Sequence, residues 1–416
     1  MAEIRQQFPA LARRTATGQV VAFLDGPAGT QVPVRVLEAM TDYLIRCNAN
    51  RHGCFATAVE TEEMFAVAGQ RYAEWMGVTD PDEIVFGPNM TSITFQMSRA
   101  IAQTWQPGDE IVLTRLDHDA NVSPWALAAR DRGVTVRWAT FHREDMQLDL
   151  DSLAGTLSEK TRLVAFGAAS NATGGLNPIA QVTQMAHAVG ALVYVDAVHL
   201  GPHRQIQAAQ WDADFVVCSA YKFFGPHVGI LWGRRQLLET LPAYKVRPAS
   251  NQIPDKWMQG TQNHEGIAGA AACVDYLQRL GATLASVDLE NRRECLRAAF
   301  AAIEAYETQL TDQFLAGVAA LGDYELVGID WEKFQQDPYR HRRVSTFSVR
   351  HRRVPARQLA TQLAAQGLYC WDGNYYALEL SEQLGYEPEG MLRIGLVHYN
   401  TAAEVDRLLA ALQQIH

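Results

Sequence analysis

Two short apolar runs, each stopping at a polar residue, constrain this chain more than any other feature. Val193–Val195 stops at Asp196, and Asp214–Cys218 stops at Ser219. Lys222 follows three residues later, with the Gly225-Pro226 turn behind it. A short apolar run bounded by polar residues suits a strand buried on both faces, as in a parallel sheet. Open α/β sheets bind ligands outside the C-terminal ends of their strands. A carboxylate and a lysine at neighbouring strand ends are therefore expected to face one ligand.

The flanking sequence repeats the pattern. Strands are expected at Glu83–Phe86, Glu110–Thr114, Val136–Trp138 and Leu163–Phe166, and a helix at Ile93–Gln103. This rhythm, over roughly residues 60–250, predicts a mostly parallel sheet covered by helices. Helical patterning fills Glu265 to Ala320, and a smaller α+β unit follows, with strands near Val344–Val349 and Leu392–Leu396. The 416 residues exceed one small core. The expected division is an N-terminal segment 1–30 packing with the small domain, a large domain 31–290 and a small C-terminal domain 291–416.

Charge and cysteine usage narrow the partners. A formal net charge of −10 and the lack of a long basic run argue against nucleic acid. The opening MAEIRQQFPALARR has no apolar centre to act as a signal peptide, and no apolar stretch is long enough for a bilayer. The six cysteines are scattered without a CxxC pair, which fits a reducing cytoplasm.

Each expected strand end carries small or polar residues. Gly87-Pro88-Asn89-Met90-Thr91-Ser92 enters a helix, where backbone N–H groups can cradle a phosphate; Asn89 or Thr91 can equally be a plain helix cap. His118, in Asp117-His118-Asp119, can stack on a flat ring or sit in a surface loop. Asn171 can donate to a ring hydroxyl or form an Asx-turn. Together with Asp196 and Lys222 these suit pyridoxal 5'-phosphate: a lysine to form an imine and an aspartate to hold the pyridinium nitrogen protonated.

The segments DAVH (196–199), CSAYKFFGPH (218–227), DHDANVSPW (117–125) and HYNTAAEVD (398–406) resemble the cysteine desulfurase and selenocysteine lyase group. That group belongs to the class V aminotransferases, which are fold-type I pyridoxal-phosphate enzymes. GPNMTS and YKFFGPH resemble its cysteine desulfurase-like subfamily, and the likeness runs from Leu24-Asp25-Gly26 to the last helix. The resemblance implies an α/β fold and a homodimer. Lys222 would be the imine lysine, Asp196 the partner of the ring nitrogen and His118 the ring stacker. Asn171 would approach the ring hydroxyl, and His199 stands where relatives often have Gln. Asn89, Met90, Thr91 and Ser219 would hold the phosphate. Tyr221 replaces a His common before the imine lysine. Thr261 would reach the phosphate of the neighbouring subunit, and Arg393 would clamp the substrate carboxylate.

One departure bears on the reaction. Sulfur-transferring relatives often carry a nucleophilic Cys in a GHHCA-type segment; here the segment is Gly373-Asn374-Tyr375-Tyr376-Ala377, with Tyr376 at the Cys position. Cys370 lies six residues earlier and suits a buried strand position. The expected activity is carbon–sulfur lysis by β-elimination on a cysteine-like L-amino acid, without a persulfide-forming Cys. Tyr376 and Asn374 are expected to line the substrate side. Transamination, epimerisation or decarboxylation is the alternative. A metal-dependent hydrolase built on Asp196, His199, His203 and His227 is a remoter one, since Gly201-Pro202 breaks any helix aligning the histidines. A non-catalytic binding module would not need a lysine among phosphate-type loops.

Overall fold

The computed structural model describes residues 1–415. Seven strands form the central sheet: β1 (Ile84–Gly87), β2 (Glu110–Thr114), β3 (Thr135–Ala139), β4 (Thr161–Gly167), β5 (Leu192–Asp196), β6 (Phe215–Ser219) and β7 (Gly229–Gly233). Their spatial order is β1-β7-β6-β5-β4-β2-β3. Pairings β3–β2–β4–β5–β6 are parallel, whereas β7 runs antiparallel to both β6 and β1. Every residue of β6 and β7 is buried, as continuous apolar runs in a covered sheet require. The expected strands are present with bounds shifted by one or two residues. β7 was not expected, because GILWG lacks both alternation and length.

Helix α1 (Met90–Ile101) begins directly after β1. Asn89 caps it: its side-chain oxygen accepts from the Ser92 N–H at 2.9 Å. The helical stretch after residue 264 is two helices, α2 (His264–Ala285) and α3 (Arg292–Ala320). Ser286 takes a left-handed conformation (φ 53°) and ends the first, and Asn291 caps the second through the Glu294 N–H.

The C-terminal unit holds an antiparallel sheet of β8 (Tyr324–Val327), β9 (Thr346–His351), β10 (Trp371–Gly373) and β11 (Met391–Gly395), ordered β10-β11-β9-β8. Part of the N-terminal segment pairs with this unit. Ala22–Phe23 pairs in parallel with Leu368–Tyr369, and Asp25 bridges to Gly395. The described residues form two apolar cores, and Phe8, Leu11, Val21 and Phe23 of the N-terminal segment pack in the larger. Leu296, Phe300 and Ile303 of α3 face the larger, and Leu310, Phe314, Leu315 and Val318 the smaller. We propose that residues 31–290 and those from 291 onward fold as the two units, with α3 touching both cores. No helix among the described residues is long and apolar enough to cross a membrane.

One glycine sets where α1 can sit. Gly229 pairs with Gly87 on one side and Ser219 on the other. A Cβ there would lie 2.5 Å from the Asn89 carbonyl carbon. Gly229→Ala is therefore expected to push the α1 N-terminus off the sheet edge, costing about 1–3 kcal/mol. Thermal melts should show the loss, and dialysis should strip cofactor faster; an unchanged melt and unchanged retention would refute this.

Candidate active site

The strand ends converge on one cavity of about 580 Å³, between the loops after β1, β2, β4, β5 and β6. Its wall contains Asn89, Met90, Thr91, His118, Asn171, Asp196, His199, Ser219, Tyr221 and Lys222. All ten residues expected around the cofactor from within the chain thus meet, although they span more than 130 positions.

Lys222 follows β6 in a short 3-10 turn. Its Nζ donates to the Pro27 carbonyl and lies 5.0 Å from the centre of the Tyr221 ring. Burial, helped by the charge of Arg393 and opposed by Asp196 and Asp25, brings its pKa down to about 7. A large share of the amine is then uncharged near neutrality and able to attack a carbonyl or take a proton. Asp196 ends β5, and its Oδ1 accepts from the Val198 N–H at 2.8 Å. Burial pushes its pKa up to about 6, against that N–H and the Lys222 charge. It is therefore mostly a carboxylate at neutral pH, as the partner of a protonated ring nitrogen must be.

His118 lies half-buried across the site, its Nδ1 accepting from the Ala120 N–H at 3.0 Å. Burial and the charges of Lys222 and Arg393 hold its pKa near 3, so the ring is neutral and available for stacking. Tyr376 already stacks on it, with centroids 5.4 Å apart and planes at 20°.

The α1 N-terminus is partly satisfied from within. The Met90 N–H donates to Ser219 Oγ at 2.9 Å, and Asn89 is spent as the cap, while the Thr91 and Ser92 side chains stay exposed. A phosphate here would meet Thr91 and Ser92 most directly and share the Met90 N–H with Ser219. Two buried wall atoms have no hydrogen-bond partner among the described residues: Asn171 Oδ1 and His199 Nε2. The Asn171 amide nitrogen is used, donating to the Tyr375 carbonyl at 2.9 Å. His199 Nε2 can donate to a ring oxygen, whereas Asn171 Oδ1 can only accept from it while that oxygen is a hydroxyl; the donor role expected of Asn171 is already spent on Tyr375. With the volume, the lysine and the aspartate, these residues fit pyridoxal phosphate.

Other expected residues lie elsewhere. Arg393 is buried behind the wall; its Nη1 donates to the Asn171 carbonyl at 3.0 Å, and the Tyr375 ring covers its guanidinium at 4.4 Å. Asn374 spends its side chain on Glu387 Oε1 and the Tyr376 N–H, so it holds its own loop. Tyr376 is 71% exposed above His118. Thr261 lines a different groove, with Arg51, His52 and Asp255. Among the described residues no group of three or more His, Cys, Asp or Glu side chains is disposed to hold a metal ion.

Three further residues at the site carry no cofactor role in the sequence reading, in which His227 figures only as a candidate metal ligand. Asp117 lines the wall, holding the His118 loop through Asn121 and Thr114, with burial raising its pKa to about 7. His227 also lines the wall and stacks on Tyr221 at 5.1 Å; its place just after the Gly-Pro turn was the available signal. Asp25 interacts electrostatically with Lys222 and Arg393, and burial raises its pKa to about 6. Nothing near Asp25 in sequence signals this.

Comparison with known proteins agrees with this geometry. The profile of the Aminotransferase class-V family matches residues 22–408. A cysteine desulfurase from Pectobacterium carotovorum subsp. carotovorum (strain PC1) is 30% identical, over 99% of this chain and 97% of the relative. A probable cysteine desulfurase from Streptomyces coelicolor is 28% identical, over 99% and 96%. Among solved structures, a cysteine desulfurase from Escherichia coli superposes with a TM-score of 0.82 at 25% identity, over 99% of this chain and 97% of that one. One from Thermococcus onnurineus NA1 gives 0.85 at 22% identity, over the same shares, and speaks for the fold alone. The chain therefore belongs to the class-V aminotransferase family and is a pyridoxal-phosphate-dependent enzyme.

Proposed function

We propose that this enzyme cleaves the carbon–sulfur bond of a cysteine-like L-amino acid by β-elimination, without passing the sulfur to a cysteine of its own. The cysteine desulfurase names of its relatives support the substrate class. The observation that carries the second half is Tyr376, a phenol stacked on His118 in the loop where such relatives often have a thiol. Cys370, on the preceding strand edge, does not line the cavity, and burial, with the Asp25 charge, pushes its thiol well above the usual range. Such a thiol is a poor nucleophile at neutral pH.

Pyridoxal phosphate, when bound, supplies the electron sink that makes the α-proton of an amino acid removable. The α1 N-terminus and Ser219 would hold its phosphate, Asp196 its ring nitrogen, His118 its ring face and His199 its ring oxygen, with Asn171 accepting from that oxygen only when it is a hydroxyl. Lys222 Nζ takes the proton from the substrate Cα. Arg393 would receive the substrate carboxylate once the Tyr375 ring turns aside. The exposed Tyr376 phenol can hand a proton to the departing sulfur; the Tyr375 phenol is buried. Overall, cysteine and water become hydrogen sulfide, pyruvate and ammonia. The family's name favours transamination as a second reading, which would instead give a keto acid that keeps its sulfur.

Incubation with cysteine is expected to yield sulfide and pyruvate with no protein-bound persulfide by mass spectrometry. Cys370→Ser should keep activity within about threefold, a change under ~1 kcal/mol. Arg393→Ala should raise KM by about tenfold or more. A persulfide on Cys370, with activity lost in Cys370→Ser, would return the chain to the sulfur-transferring desulfurases.

We also propose a homodimer in a reducing compartment, the cytoplasm, in which Thr261 serves the partner's phosphate. Mixed Lys222→Ala and Thr261→Asp chains, each inactive alone, should then regain activity, because one site per heterodimer receives both intact groups. Heterodimers that form without any rescue would refute the shared site.

A further inference from the structure

Behind His199 lies a second buried polar pair that does not touch the cavity. His203 follows in the same loop, where the Gly201 N–H bonds the Ala197 carbonyl and the His203 N–H the Leu200 carbonyl. The two imidazoles meet edge to face, centroids 5.5 Å apart and planes at 65°. On its far side, His203 Nδ1 lies 2.7 Å from Glu307 Oε2. The two side chains are 2% and 4% exposed. Glu307 sits on α3, where its backbone carbonyl accepts from Ser345 Oγ of the small domain.

A buried carboxyl is costly unless it is hydrogen-bonded, so the pairing is strongly held. With Glu307 ionised, His203 Nδ1 is the donor of this contact, which fixes both its tautomer and the direction of its ring. The His203 ring in turn fixes the plane of His199. Burial, with the charges of His203, Arg393, Lys222 and His118, pushes His199 well down, so its imidazole is neutral. A neutral imidazole has one donor nitrogen, and the orientation of the ring decides where that donor points. His199 lines the cavity, as Asn171 does, and its Nε2 has no hydrogen-bond partner among the described residues. Burial raises the Glu307 pKa above its ordinary value, opposed by His203, Arg204 and the His398 N–H, and Glu304, Arg340 and Arg343 line the same recess.

We propose that Glu307 and His203 are positioning residues that together present His199 Nε2 to the ring oxygen of the bound cofactor. Glu307 anchors His203 through Nδ1–H, and the ring of His203 braces that of His199. The orientation of a cofactor contact is thereby tied to the helix shared by both cores. The inference rests on the cofactor occupying this cavity and is independent of which reaction follows.

The test is a pH titration of the visible absorbance of the cofactor-loaded protein. A donor at the ring oxygen stabilises negative charge there and lowers the pH at which the chromophore loses its proton. His199→Phe should raise that midpoint by about one unit, and His203→Phe and Glu307→Ala should raise it by about half a unit. Glu307→Gln keeps an acceptor for His203 Nδ1–H and should stay within about 0.2 unit of wild type. A purely structural role would lower the melting temperature of Glu307→Ala without moving the midpoint, and that result overturns the proposal. Glu307→Gln shifting as far as Glu307→Ala overturns the hydrogen-bond route, and an unshifted His199→Phe overturns the contact itself. A wild-type protein that gains no visible absorbance would instead overturn the cofactor reading. Independently of any variant's folding, ¹⁵N spectra of wild-type protein, with and without cofactor, should show His203 protonated at Nδ1; a proton on Nε2 alone overturns the proposal.

Discussion

Lys222→Ala protein, mixed with pyridoxal phosphate, treated with borohydride and digested, is expected to carry no cofactor label on any lysine. Its turnover should fall by at least about 10³-fold, since covalent attachment and the proton-transferring base are lost together. The wild-type chain should be labelled at Lys222, and the pH dependence of labelling is a second check. Burial and the Arg393 charge hold this amine near pKa 7. Only the uncharged amine attacks, so labelling should speed up as pH rises through about 7 and level off above it. An ordinary lysine would still be accelerating near pH 10. Label at another lysine, or no break near 7, would remove Lys222 from its role.

Asp196→Ala is expected to bind the cofactor but to exchange the α-proton of bound amino acid at least about 100-fold more slowly, a loss of ~2.7 kcal/mol. On the proposed assignment, the carboxylate at the end of β5 would keep the ring nitrogen protonated. Because its pKa is raised to about 6, it loses its charge as pH falls through 6. Lys222 gains a proton over the range just above, so activity should fall on the acid side through both. Deuterium uptake at Cα, read by mass spectrometry, measures the step. Exchange within about threefold of wild type, under ~1 kcal/mol, would show that Asp196 is not the partner of the nitrogen.

The apolar runs at 193–195 and 214–218, and the polar residues that stop them, were enough to place Asp196, Ser219 and Lys222 at neighbouring strand ends. This works because a short run buried on both faces has few other folds open to it, and parallel sheets bring their strand ends to one edge. The GPNMTS, DHDAN and SNATGG loops fell into the same cavity for that reason. The type of each strand-end residue, and so the cofactor class, was legible in the linear chain.

Which atoms are free was not. Asn89 is spent on Ser92, and the Asn171 nitrogen on Tyr375. The resemblance implies that Arg393 meets a substrate carboxylate, but nothing in the linear chain shows that Tyr375 lies over it, because their contact depends on how the 373–377 loop folds back over β11. Asp25 nears Lys222 only because its strand segment bridges to Gly395. His203 has the spacing of a metal ligand in the sequence, yet it faces Glu307, 104 positions away. Local sequence sets periodicity, turn chemistry and the supply of reactive groups. The partner of each buried polar group is settled by long-range packing, since a group removed from water must bond whatever the rest of the chain brings beside it.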